Sequence, residues 1–180
     1  MKNNYDAKKA MKMLAKVCKD DNRIYYQNGD GGQTLVSDGR CIITVTTSDF
    51  EQYKDECFKK KELSSFDLKS FFGKYSTDLF DISPTIITVD VGRYKCRVFK
   101  VADETGYTRY MTLNQDYVDI IPYTIDNFVD TKVSLTDVNS DRITSPLVHI
   151  DTDHKGNFVC GFMILPVRFN VKEEINKIIK

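Results

Sequence analysis

Net charge, a disulfide framework, metal-ligand spacing and long apolar runs are all missing from this sequence, and each absence excludes a class of function. The 180 residues carry 26 basic and 26 acidic side chains, so the globally basic character of many nucleic-acid binders is absent and only a locally basic face stays open. The five cysteines (Cys18, Cys41, Cys57, Cys96, Cys160) are odd in number, widely spaced and never form Cys-x-x-Cys. Neither a disulfide framework nor a zinc ribbon is implied, and a reducing, cytoplasmic setting is expected. No apolar run approaches the roughly 18 residues that span a bilayer. Met1-Lys2-Asn3-Asn4 leads into a lysine-rich amphipathic stretch with no apolar signal core, so neither secretion nor membrane insertion is expected. Low-complexity linkers and internal repeats are also lacking. What is there, 41% apolar, 12% aromatic and 29% charged content, describes one ordinary soluble domain, or at most two very small ones. A chain of this length buries about 68–70% of its unfolded surface and holds a core without disulfide or metal.

The first element is an amphipathic helix. Ala7, Ala10, Met11, Leu14, Val17 and Cys18 recur at three- and four-residue spacing, and Asp6 stands where an N-cap belongs. The spacing predicts a helix from 7 to about 19. Its other side carries Lys8, Lys9, Lys12, Lys16 and Lys19 with no acid between Ala7 and Lys19, which reads either as a solvated face or as a phosphate-facing stripe. Charge is unevenly spread along the chain, since residues 103 to 158 hold ten acids against Arg109, Lys132, Arg142 and Lys155. Such a dipolar chain can focus a polyanion onto one face while the rest repels it.

Strands follow. Arg23 to Tyr26 and Thr34 to Thr46 are rich in Ile, Tyr, Thr and Val, and Asn28-Gly29-Asp30-Gly31-Gly32 separates them, which predicts a hairpin. Ser37-Asp38-Gly39-Arg40 then divides the second run by a tight turn in preference to a bulge. Residues 49 to 75 read as helical and charge-dense, with Phe66 to Phe72 as a second short helix. Pro84 introduces a hairpin through Gly92, and a strand is expected from Tyr107 to Leu113. Asn114 caps a short helix that runs to Pro122. Strands return near Val133 to Val138, Leu147 to Ile150 and Phe158 to Leu165, and 169–180 reads as an amphipathic helical tail.

No catalytic motif stands out, and no enzyme activity is expected. Asp151-Thr152-Asp153-His154-Lys155-Gly156 begins like a calcium loop, yet Lys155 stands where an oxygen ligand is needed and Phe162 where the bidentate glutamate belongs. His149, His154 and Cys160 have no spacing that implies a nucleophilic pair. Gly29, Gly31 and Gly32 precede a strand and no Gly-Lys-Ser/Thr follows, so a hairpin turn explains them better than a phosphate loop. No metal or other cofactor is expected.

One ordered series of segments carries a resemblance. Leu113-Asn114-Gln115-Asp116-Tyr117-Val118-Asp119-Ile120-Ile121 is followed by Val133-Ser134-Leu135-Thr136-Asp137, by Ser145-Pro146-Leu147-Val148-His149-Ile150, and by Phe162-Met163-Ile164-Leu165-Pro166-Val167-Arg168. In that order it resembles the end of a bacterial DNA sliding-clamp domain, the DNA polymerase III beta subunit family, whose closing strands end in hydrophobic-Pro-hydrophobic-Arg. The Ser37-Asp38-Gly39-Arg40 turn is similar to that family's Thr-Asp-Gly-x-Arg turn. The resemblance covers roughly 100 of the 180 residues.

It implies an α+β, DNA-clamp-like fold with antiparallel sheets and two core helices. A single domain would span 1–168, interrupted by a helical and hairpin insertion at about 49–106, with the tail at 169–180. It further implies a non-enzymatic protein of a bacterium or mobile element, acting in DNA replication. Lys8, Lys9, Lys12, Lys16, Lys19 and Arg40 would contact double-stranded DNA. Leu165, Pro166, Val167 and Arg168 would dock peptide motifs of replication proteins. Because a clamp ring resembles six such domains in a circle, encircling DNA would require a homo-oligomer or other clamp domains. The counterpart of the second channel helix, 114 to 121, carries Asp116 and Asp119 and no lysine. That feature fits the alternative reading, a protein-interaction module of clamp fold that does not bind DNA.

Overall fold

Asp6 caps the first helix as its position predicts: its Oδ1 accepts the backbone N–H of Lys9 at 2.9 Å, which satisfies one of the donors that a helix start leaves unpaired. In the computed structural model, which describes residues 4–18, 22–29, 31–73, 79–102, 108–125, 132–134 and 146–167, this helix is α1 (Ala7–Val17). Three strands follow, β1 (Arg23–Asn28), β2 (Gln33–Ser37) and β3 (Cys41–Thr46). Then come α2 (Thr47–Cys57), β4 (Glu62–Ser65), α3 (Lys69–Gly73), β5 (Leu79–Val91), β6 (Tyr94–Ala102) and β7 (Thr108–Asn114). The chain continues through α4 (Gln115–Val118), a 3-10 turn (Ile121–Tyr123), β8 (Lys132–Ser134), β9 (Leu147–Thr152) and β10 (Phe158–Ile164).

Among the described residues the strands form one ten-stranded sheet in the order β4-β1-β2-β3-β10-β9-β8-β5-β6-β7. Every neighbouring pair is antiparallel except β1 with β4. The fold is α+β, as expected, although the strands join one sheet and do not divide into several. The Ser37-Asp38-Gly39-Arg40 turn separates β2 from β3, with Gly39 at φ 86° where a side chain would be strained.

Side-chain alternation divides the residues of β2 and β3 between two faces. Val36, Cys41, Ile43 and Val45 join Ala10, Met11 and Leu14 of α1 in the main core. Leu35 and Ile42 point the other way, onto Leu68 and Phe72 around α3. The far end of the sheet covers the same main core, because Phe99 and Val101 of β6 and Met111 and Leu113 of β7 belong to it. This curvature is completed by the chain after β10, where the Val167 N–H donates to the Thr112 carbonyl at 2.8 Å and the Thr112 hydroxyl donates to the Val167 carbonyl at 2.6 Å.

Several expectations are corrected. The stretch 49 to 75 is not helical throughout: β4 lies within it, paired in parallel from Arg23 opposite Glu62 to Tyr26 opposite Ser65. Such pairing is non-local and leaves no hairpin signal in the sequence. β5 begins at Leu79, ahead of Pro84, and the missing proline N–H is accommodated where the ladder to β6 shifts register between Pro84 and Thr88. The short helix expected from Asn114 to Pro122 is capped by Asn114 but ends at Val118, and Pro122 lies inside a separate 3-10 turn. Within the segment expected as an insertion, 49–106, Phe50, Phe58, Phe99 and Val101 belong to the main core. Lys19, Arg168 and the tail at 169–180 lie outside the described residues.

Candidate functional site

Two surfaces on opposite faces of the sheet hold the residues singled out by the sequence. The first is α1. Its apolar stripe is spent on the core, which turns Lys9, Lys12 and Lys16 out to solvent and leaves Lys8 half-buried. The stripe is not a free row of charges. Glu56 of α2 places one oxygen 2.7 Å from Lys8 Nζ and the other 2.7 Å from Lys12 Nζ. Lys8 also lies over the Tyr53 ring, and Lys9 Nζ sits 3.9 Å from the centre of the Tyr123 ring, a cation–π contact. Lys16 shares a surface depression with Lys59 and Lys60, which follow α2. Those two exposed lysines extend the basic surface beyond what helical spacing along α1 could reveal.

Hydrogen bonds from Lys12 and then Lys8 hold the Glu56 carboxyl down at about 2, well below the ordinary carboxylate range, and the same contact raises Lys8. A depressed carboxyl contributes to the fold above its unfolded value, and the contribution is lost as pH falls through its folded one. An NMR titration should therefore find Glu56 still ionised at pH 3, whereas Lys8→Ala with Lys12→Ala returns its midpoint to near that of a free glutamate. An ordinary midpoint in the unsubstituted protein would contradict the double ion pair.

The second surface is a groove of about 420 Å³ on the α3 face. Ile42, Leu68 and Met163 are its buried apolar lining, with Ser37 buried beside them. Tyr25, Phe66 and Phe71 add aromatic walls, with Phe66 edge-on to Tyr25 at 5.6 Å between ring centres. Arg40 and Leu165 complete the rim. Phe66 is 49% exposed and Leu165 41%, so this apolar surface is open to solvent. The rim residues come from two segments 125 positions apart, joined where the Leu165 N–H donates to the Arg40 carbonyl at 2.9 Å.

The structure thus separates residues that the resemblance grouped together. Arg40 stands at the groove, with its guanidinium 3.4 Å from the Tyr94 hydroxyl, and does not join the lysines of α1. Leu165 lines the groove, whereas Val167 is hydrogen-bonded to β7. Pro166 is half-buried between them. Lys19 and Arg168 are outside the described residues.

The turn carrying Arg40 is fixed from below. Asp38 is buried, its Oδ1 accepting the N–H groups of Arg40 and Cys41 at 3.0 and 2.9 Å and its Oδ2 accepting the Tyr117 hydroxyl at 2.6 Å. Burial, then the Asp38 charge and hydrogen bond, push the Tyr117 phenol far above its ordinary value, so it remains a donor.

The nucleophile and metal alternatives are not assembled. Cys160 lies opposite Asp151, with Sγ 3.6 Å from its carboxylate, while His149 stacks on Phe162. Asp153 accepts from the N–H groups of Lys155 and Asn157 at 2.8 and 2.9 Å, so its carboxylate organises a strand turn. Among the described residues no group of three or more His, Cys, Asp or Glu side chains is gathered for a metal. No described helix is long and apolar enough to cross a membrane. In comparisons with known proteins, no family model, no curated protein and no solved structure matches the chain.

Proposed function

We propose that this chain is a non-enzymatic, sliding-clamp-like protein that binds DNA backbone through α1 and short peptide motifs of replication partners through the groove. The observation that carries the reading is the meeting of two segments at that groove. The turn Ser37-Asp38-Gly39-Arg40 and the strand end Leu165-Pro166-Val167-Arg168 are among the stretches that carry the resemblance to the clamp family, and Arg40 and Leu165 share one apolar rim. A solvent-open apolar groove of this size suits one or two large side chains of an extended peptide. Each fully buried anchor of that kind is worth about 1.5–3 kcal/mol.

The companion reading, an interaction module of clamp fold that leaves DNA alone, is favoured by a separate observation. Lys8 and Lys12 are already paired, and α4, packed in the same core, exposes Asp116 and Asp119.

Phage-displayed random peptides panned on the protein should yield binders that Leu165→Asp no longer retains at unchanged thermal stability. Peptides that bind both forms equally, or no binders at all, would remove the groove from the proposal. Size exclusion with light scattering at low ionic strength, with and without a DNA duplex, then separates the two readings. Retention of the duplex by a ring-sized oligomer supports the clamp, and a monomer or dimer that ignores it supports the interaction module.

A further inference from the structure

We propose that Glu56 is a built-in competitor for phosphate, holding Lys8 and Lys12 away from duplex DNA and leaving first contact to Lys9, Lys16, Lys59 and Lys60. The inference rests on the DNA-binding reading of α1 and deepens it by naming what limits that surface.

The geometry is that of an occupied anion site. Lys8 and Lys12 lie one helical turn apart on α1, so their ammonium groups can converge on a single anion. The anion they meet is internal. Each Glu56 oxygen takes one of them at 2.7 Å, which leaves neither lysine fully available to a phosphate. The side chains of Lys8, Lys12 and Glu56 are 40%, 51% and 44% exposed, so a DNA phosphate can approach the same spot. What it would do there is exchange one monoanion for another. Two ion pairs would be broken for two formed, and Glu56 would be left as a like charge beside the DNA. Little net affinity follows from such an exchange.

The other lysines face no such competition. Among the described residues Lys9, Lys16, Lys59 and Lys60 make no ion pair with an acidic side chain. Lys16, Lys59 and Lys60 line one shared depression. Lys61, next in sequence, is engaged differently, donating to the Cys18 carbonyl. The basic surface therefore combines the exposed side of α1 with the turn after α2, and Glu56 sets how much of it a polyanion can use. Weak, readily reversed backbone contact is the result.

The test is a fluorescence-anisotropy titration of a short labelled duplex over a series of salt concentrations. Each lysine released to a phosphate steepens the log–log salt dependence by roughly 0.9. Glu56→Gln is therefore expected to bind about tenfold more tightly at low salt and to steepen that slope by about 2. Glu56→Ala should behave alike, and Lys8→Ala with Lys12→Ala in the Glu56→Gln background should cancel the gain. Lys59→Ala with Lys60→Ala should weaken the unsubstituted protein and flatten its slope. If the unsubstituted protein binds and Glu56→Gln binds no better, the proposal is overturned while DNA binding by α1 stands. Weaker binding by Glu56→Gln would make Glu56 a positioning group and overturn it equally. Absence of binding by every form at low salt would take away the proposal and the DNA reading together.

Discussion

Asp38→Ala is expected to lower the free energy of unfolding by about 3–5 kcal/mol, because it removes the acceptor for three donors at once. The Arg40 and Cys41 N–H groups and the Tyr117 hydroxyl all converge on this carboxylate, and Asp38 is only 5% exposed. A buried donor left without a partner costs about 1–3 kcal/mol, with hydrogen bonds to a charged group at the upper end. Arg40 is exposed, so water can recover part of the loss at its amide. Cys41 and Tyr117 are buried and have no such recourse. Tyr117→Phe, which deletes one donor and leaves two, should cost less, about 1.5–3 kcal/mol. Urea denaturation of both variants provides the measurement. A loss below about 1 kcal/mol for Asp38→Ala would show that solvent reaches the turn and replaces the carboxylate. Since this turn also presents Arg40 to the groove, the peptide binding proposed there is expected to fail before the fold does.

Phe50→Ala should cost about 3–5 kcal/mol, as buried phenylalanine truncations do. Phe50 is fully buried on the first turn of α2 and lies against the Tyr26 ring, 5.1 Å between centres. It joins a segment expected as an insertion to a strand of the central sheet. If α2 were an appendage, the helix would swing away and the loss would fall below about 1.5 kcal/mol, with a second, independent unfolding step. A single cooperative transition at lower urea concentration is the expected result. It would show that α2 unfolds together with the rest of the core.

What the sequence made legible was local. α1 was readable because its apolar spacing, its cap and its lysines are all encoded within a dozen neighbouring residues. The β2–β3 turn was readable because Asp and Gly have turn chemistry of their own. Elements that depend on distant partners were not. Glu62-Leu63-Ser64-Ser65 has weak strand character, and only parallel pairing with β1 makes it one. The ion pairs of Glu56 join residues 44 and 48 positions apart, and nothing in the charge run of α2 singles out this acid from Glu51 or Asp55. Phe66 and Phe71 looked like ordinary apolar positions of a short helix. Their place in the groove follows from where α3 lands on the sheet, which no local pattern records. Arg40 was assigned by resemblance and charge, and its position at the rim follows from the register of β3 with β10.

The hydrogen bonds between Val167 and Thr112 bear on how copies of this chain could join. β7 ends the sheet, and a terminal strand ordinarily offers a row of unpaired amides and carbonyls that a neighbouring molecule can extend. At Thr112 that row is already taken from within the same chain. The opposite terminus is β4, four residues long and headed by a glutamate bound to Arg23, which is a poor template for strand addition. Strand addition is therefore hindered at Thr112 on one edge and meets only a four-residue strand at the other. A ring or dimer held by side chains would have a tightness that single substitutions could tune without touching the sheet.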